Sequence, residues 1–245
     1  MIAIIAGREL RAAFFSPLAW SLLGANQVVL AWVFLRVVER FTGLDAAERA
    51  TGFTLDLSLN LYSFAAILVL FSAPVVASRM FSSEFRDGVH DLLGSAPVTL
   101  LSILLGKYLA LAALTTALIV LPALNTLLMV GSAALDPGLL AAATLGLWCA
   151  GLMFGAVGLF ASSLSEQPGV SMLVGYGILL LFSIVGNAAD WAGRHVTLFD
   201  WLSWNEHLFW FLLGAVRISD LVYFFLFTAF FLALAHRRLA NRCLG

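Results

Sequence analysis

Charged side chains are scarce in this sequence: Asp, Glu, Lys and Arg together supply 11% of its 245 residues. A soluble domain needs a more polar surface than that. With 62% hydrophobic residues and a mean hydropathy of +1.01, the chain has more apolar surface than a core of this size could bury. It therefore reads as an integral membrane protein. The formal net charge of −1 gives no basic surplus that would point to nucleic acid. Cysteine is nearly absent: Cys149 falls inside an apolar run and Cys243 close to the end, so no disulfide is expected. Catalytic signatures are missing too. There is no G-x-S-x-G, no H-E-x-x-H and no phosphate loop, since Gly106-Lys107 is followed by Tyr108 and lacks the upstream glycine. The chain is expected to be no enzyme, to hold no cofactor of its own and not to hydrolyse ATP by itself. His195, Asp200, Glu206 and His207 lack a recognised ligand spacing, so no metal site is expected.

What the sequence has instead is long apolar runs. A span needs about 20 such residues to cross roughly 30 Å of hydrocarbon. Six runs qualify: Pro17 to Leu35, Leu57 to Ala77, Leu100 to Val130, Leu139 to Ala161, Gly169 to Asn187 and Ser219 to Ala235. The expected fold is all-α, a polytopic bundle of six transmembrane helices forming one domain over residues 1–245. The third run is overlong and carries Lys107 near its start, which is expected to snorkel to the interface. The first sixteen residues do not read as a signal peptide, because Gly7, Arg8, Glu9 and Arg11 interrupt the apolar character early. They suit an interfacial helix with Ala6, Leu10, Ala13 and Phe14 on one face and Arg8 and Arg11 on another. Ser16 and Pro17 then read as N-cap and first helical position of span one.

Basic residues set the orientation. With a cytoplasmic N-terminus, Arg8, Arg11, Arg79, Arg86, Lys107, Arg237, Arg238 and Arg242 lie inside, against Arg36, Arg40, Arg49, Arg194 and Arg217 outside. Both termini are then expected in the cytoplasm.

Within the spans the polar residues are few. Asn60 and Tyr62 open span two, Asn125 follows Pro122 in span three, and Tyr176 and Ser183 lie in span five; these are the candidates for lining a pathway, and for span five, with Gly175 and Gly177, a dimer seam is the equal alternative. For Asn125 the alternative is that its amide satisfies a carbonyl freed by Pro122. Pro74 should kink span two. Gly151, Gly155 and Gly158 give span four a small-residue face for close helix packing. Between spans five and six, residues 188–217 hold Trp191, Trp201, Trp204 and Trp210 with Phe199, Phe209 and Phe211, which suit the headgroup level and short re-entrant or interfacial helices.

The most polar stretch is 81–97. Read as a helix, Phe81, Phe85, Val89, Leu92 and Leu93 form one apolar stripe, and Glu84, Gly88 and Asp91 fall on another face. Such a helix lies in a membrane interface with its polar face turned to a partner, and Gly88 lets a partner's backbone come close.

The order of residues here resembles the membrane subunits of ABC-2-type exporters. In that family Glu, Gly, acid-Leu-Leu, Ser-x-Pro and Gly-Lys follow the second span. The corresponding positions are Glu84, Gly88, Asp91-Leu92-Leu93, Ser95-Ala96-Pro97 and Gly106-Lys107; Val89 departs from the family's common Thr. The opening GRELRAAFFSPLAW and the late SWNEHLFWFLLGAVRISDLVYF are similar to the subgroup typified by the gliding-motility permease, so the likeness runs along nearly the whole chain. It implies a permease of the bacterial inner membrane whose coupling segment docks into a separate pair of ATPase subunits, which hold ATP and Mg. Glu84, Phe85, Arg86, Asp87, Gly88, His90, Asp91 and Leu92 would make that contact. A second permease copy or paralogue would complete the path, and a subunit with an extracytoplasmic domain often accompanies the pair. The alternative is a non-transporting membrane anchor, or mechanotransmission subunit, for an extracytoplasmic complex.

Overall fold

The computed structural model describes residues 2–43, 52–86, 99–131, 134–191 and 201–243. Helix α1 (Ile2–Phe15) stops where Ser16 Oγ accepts the Leu18 N–H at 3.3 Å, and Pro17 begins α2 (Pro17–Gly43). That is the capped turn expected from Ser16-Pro17. Helix α3 (Phe53–Leu57) passes through a π-helical turn, Ser58–Tyr62, into α4 (Ser63–Arg86). Next come α5 (Leu100–Leu127), opened by Thr99, and α6 (Pro137–Leu164), opened by Asp136, whose carboxylate accepts the Gly138 N–H at 2.8 Å. Helix α7 (Pro168–Trp191), the short α8 (Trp204–Leu212) and α9 (Ile218–Cys243) complete the bundle. Six helical stretches are long and apolar enough to cross a membrane, and they match the six runs in order. This is an all-α, multi-pass membrane protein.

The second span differs in length from its apolar run. It continues without a break from Phe53 to Arg86, about 50 Å at 1.5 Å per residue, well beyond the roughly 30 Å of hydrocarbon. Nothing between Ala77 and Phe81 breaks a helix, so Phe81–Arg86 form the end of α4 and do not start a separate helix. Phe81 accordingly lies in the core, 2% exposed, and not along a lipid-facing stripe.

Helix α6 is the axis, with 72% of its most apolar window buried. Its glycines explain how neighbours come so close. A Cβ on Gly151 would stand 2.7 Å from Thr115 Cγ2 of α5, and one on Gly158 would stand 2.6 Å from Ala77 Cβ of α4. The small-residue face is thus used inside the chain. It is not left for a second copy. Helix α8 packs against the same axis: a Cβ on Gly146 would meet Phe211 Cβ at 2.4 Å. Phe211 and Trp204 are therefore core residues, with the Trp204 ring edge-on to Phe154 at 5.1 Å. This corrects the expectation of a headgroup position for those two, because amphipathic α8 turns one face inward. Trp201 and Phe209 remain exposed, and Trp210 stacks under the Arg217 guanidinium at 3.2 Å. Trp191 and Phe199 lie outside the residues whose side chains are described.

The packing predicts a contrast. Gly146→Val and Gly158→Val should each lower the thermal unfolding midpoint of the purified protein, by overpacking that costs about 1–3 kcal/mol. Gly177→Ala, whose Cβ would meet nothing within 4 Å, should leave the midpoint unchanged. Equal behaviour of all three would contradict this packing.

Candidate functional site

Arg8, Glu9 and Glu84 converge on Lys107 at one end of the bundle. Its ammonium is 1% exposed and makes three hydrogen bonds: to Glu84 Oε1 at 2.7 Å, to the Met80 carbonyl at 2.8 Å and to Glu9 Oε1 at 3.3 Å. An ammonium has three N–H donors, and all three are satisfied. The Phe81 ring lies 5.2 Å from the same nitrogen. Lys107 therefore does not snorkel to the interface. Two carboxylates from neighbouring helices hold it inside. Arg8 closes the group, bonded to Glu9 Oε1 at 2.7 Å and 3.9 Å from Glu84 Oε1.

The local sequence explains why α1 sits here. Ile2, Ile5, Glu9, Leu10 and Ala13 turn inward at helical spacing, while Ile4, Arg8, Arg11 and Phe15 turn out. The neighbour on α5 is Gly106, where a Cβ would come 2.7 Å from Ile5 Cγ2. Glycine at 106 lets α1 approach, and lysine at 107 then meets Glu9. For Glu9, burial alone would raise the carboxyl. Lys107 and the hydrogen bond from Arg8 outweigh it and hold the pKa below the ordinary 4.5.

Two further ties fix the last turns of α4. A buried serine group joins three helices: Ser162 Oγ of α6 accepts the Phe81 N–H at 3.0 Å and donates to the Ser78 carbonyl at 3.1 Å, and Ser82 Oγ lies 2.7 Å from Ser171 Oγ of α7. On the other side Phe85 stacks on Phe81, and the Arg242 guanidinium of α9 lies 4.1 Å over its ring while pairing with Glu166. The end of α4 is thus joined to α1, α5, α6, α7 and α9 together.

Of the residues expected to contact an ATPase, Glu84, Phe85 and Arg86 lie on this last turn. Glu84 faces inward, its side chain 15% exposed and engaged with Lys107, so it does not present itself to an external groove. Asp87, Gly88, His90, Asp91 and Leu92 lie outside the described residues. They follow directly on the clamped turn.

The expected pathway residues are not gathered into one channel. Tyr62 is buried and pairs its hydroxyl with Thr144 Oγ1 at 3.2 Å. Asn125 accepts from Gln27 Nε2 at 3.0 Å, and its own Nδ2 has no partner among the described residues, so it does not satisfy a carbonyl freed by Pro122. Asn60 donates to the Asp56 carbonyl at 2.8 Å and lines a groove of 240 Å³ with Trp32, Arg36 and Arg40, at the end of the bundle opposite Lys107. Tyr176 donates to the Phe71 carbonyl at 2.7 Å, beside Pro74, and Ser183 accepts from Asn205 at 3.1 Å. At that opposite end His207 is held by Asp220 at 2.8 Å and the Trp201 carbonyl at 2.9 Å, and its ring stacks on Tyr223. Among the described residues no group of three or more His, Cys, Asp or Glu is arranged to hold a metal ion.

Comparison with protein-family models finds no matching family, and comparison with curated proteins finds no significant match.

The lowered pKa of Glu9 sets a pH dependence. A carboxyl depressed on folding stabilises fully above its ordinary value and loses that contribution as pH falls through the lowered one. The unfolding midpoint should therefore be steady from pH 7 to about 5 and decline below about pH 4.5. Part of that decline should vanish in Glu9→Gln, followed by thermal unfolding across the same range. Identical acid profiles for the two proteins would contradict the role of Glu9.

Proposed function

We propose that this chain is the membrane-spanning permease subunit of an ATP-driven ABC exporter, coupled to a separate ATPase pair and dimerising to form the translocation path. The observation that carries the reading is the clamped end of α4. Residues 87–98 hold Gly88, Asp91-Leu92-Leu93 and Ser95-Ala96-Pro97, the order that resembles ABC-2-type exporters. They emerge from a turn tied to helices α1, α5, α6, α7 and α9. A push delivered through Arg86 has bonded routes into those helices. Glu84 and Lys107, read from sequence as separate features, support this mechanical role by bonding to each other.

Charge supports the orientation. At this end the described residues include eight Lys and Arg against Glu9, Glu84 and Glu166, which favours the cytoplasmic side of a bacterial inner membrane for both termini. Tyr62, Asn125 and Tyr176 each hydrogen-bond within the chain, which favours a path between two permeases over one within a single bundle. The same fact leaves room for the non-transporting anchor, which needs no path.

Co-purification with the ATPase and measurement of its turnover separate these readings. Gly88→Trp and Asp91→Lys should keep wild-type yield and lose ATPase association, each by about 1–3 kcal/mol of docking energy. Glu84→Lys should lower the folded yield itself, because it sets a second cation against Lys107. ATPase turnover unaltered by the subunit would favour the anchor. Gly88→Trp with intact association and transport would overturn the coupling role of 87–98.

A further inference from the structure

Beside the Lys107 group lies a cleft of 160 Å³ between α1, the start of α2 and α4. Its walls are mostly apolar, formed by Ala13, Leu18, Ala19, Val76, Met80 and Leu114. Three polar side chains enter it: Glu9, Ser16 and Arg79. Glu9 is already neutralised by Lys107 and Arg8. Ser16 uses an oxygen lone pair to cap α2 and keeps its O–H to donate. Arg79 is exposed, and its guanidinium has no hydrogen bond or ion pair among the described residues. Three cations, Arg8, Arg79 and Lys107, thus stand against two carboxylates, Glu9 and Glu84, around an apolar slot at the end of the membrane spans.

We infer that this cleft binds an anionic phospholipid, with the phosphate on Arg79 and Ser16 and an acyl chain along the apolar wall formed by Val76, Met80 and Leu114. The chemistry selects an amphiphile. An unpaired guanidinium asks for a phosphate, and the remaining lining would gain nothing from a small hydrophilic anion. A basic pocket between spans at the cytoplasmic boundary is where anionic headgroups gather. The bound lipid would brace α1 against α4 beside the Lys107 group. This inference rests on the multi-pass fold and the orientation proposed above, and does not depend on an ATPase partner.

Native mass spectrometry of the full-length protein, purified from vesicles of equal phosphatidylcholine and phosphatidylglycerol, reads the site directly. The wild type should retain phosphatidylglycerol over phosphatidylcholine. Arg79→Gln should lower that retention about fivefold, the loss expected for one basic contact at an anionic surface. Ala12→Trp, which fills the cleft and leaves Arg79 in place, should lower it too. Arg11→Gln removes the same charge from the outer face of α1, away from the cleft, and should leave it unchanged. Equal losses in Arg11→Gln and Arg79→Gln would mean diffuse attraction and overturn the site. Unchanged retention in Arg79→Gln would also overturn it, as would inorganic phosphate raising the unfolding midpoint as much as the lipid does.

Discussion

A lysine ammonium withdrawn from water must find an acceptor for every proton it carries, and Lys107 finds three on two other helices. The demand is severe because an uncompensated buried charge destabilises by about 3–5 kcal/mol, comparable to much of a domain's net stability. It explains two carboxylates that would otherwise be costly at the end of a membrane bundle. It also explains α1. That helix has no fully buried residue, yet it lies in a defined place, because Gly106 admits it and Glu9 completes the lysine's coordination.

From that constraint follows the stiffness of α4. Its last turns are bonded on one side to Lys107, on another to Ser162 and Ser171, and on a third to Arg242 through Phe85. Higher in the same helix Pro74 makes a second seat, where Gly158 of α6 and Gly175 of α7 approach its backbone and ring. Interiors packed in this way transmit displacement instead of absorbing it. In the proposed reading, a displacement delivered at Arg86 would move several spans at once, as a coupling element requires.

The bundle was legible because a membrane imposes a one-dimensional rule: a run of apolar residues of sufficient length must be a helix. Ser16-Pro17 and the glycines of α6 were legible for similar reasons, since caps and close packing act through local residue types. The candidate site was harder. Glu84 and Lys107 were each visible as charges beside apolar runs, but 23 residues separate them and nothing local says that they bond. Glu9 was hidden among arginines, although its place on the Ile5, Glu9, Ala13 row pointed inward. Trp204 and Phe211 misled because an aromatic-rich segment between two spans suits a headgroup belt by composition, whereas amphipathic α8 turns one face of it into the core.

Whether Lys107 and its carboxylates act as one unit is measured most directly by a double-mutant cycle on the purified protein, using Glu84→Gln, Lys107→Met and both together. Removing either partner alone unbalances the group, because Lys107 then keeps only the counterion Glu9 at 3.3 Å and Glu84 keeps only Arg8 at 3.9 Å. Each single change should therefore lower stability by about 3 kcal/mol or more, and the double change should cost distinctly less than their sum. Additive losses within about 0.5 kcal/mol would show that the two side chains do not depend on each other, and would contradict the clamp at the end of α4.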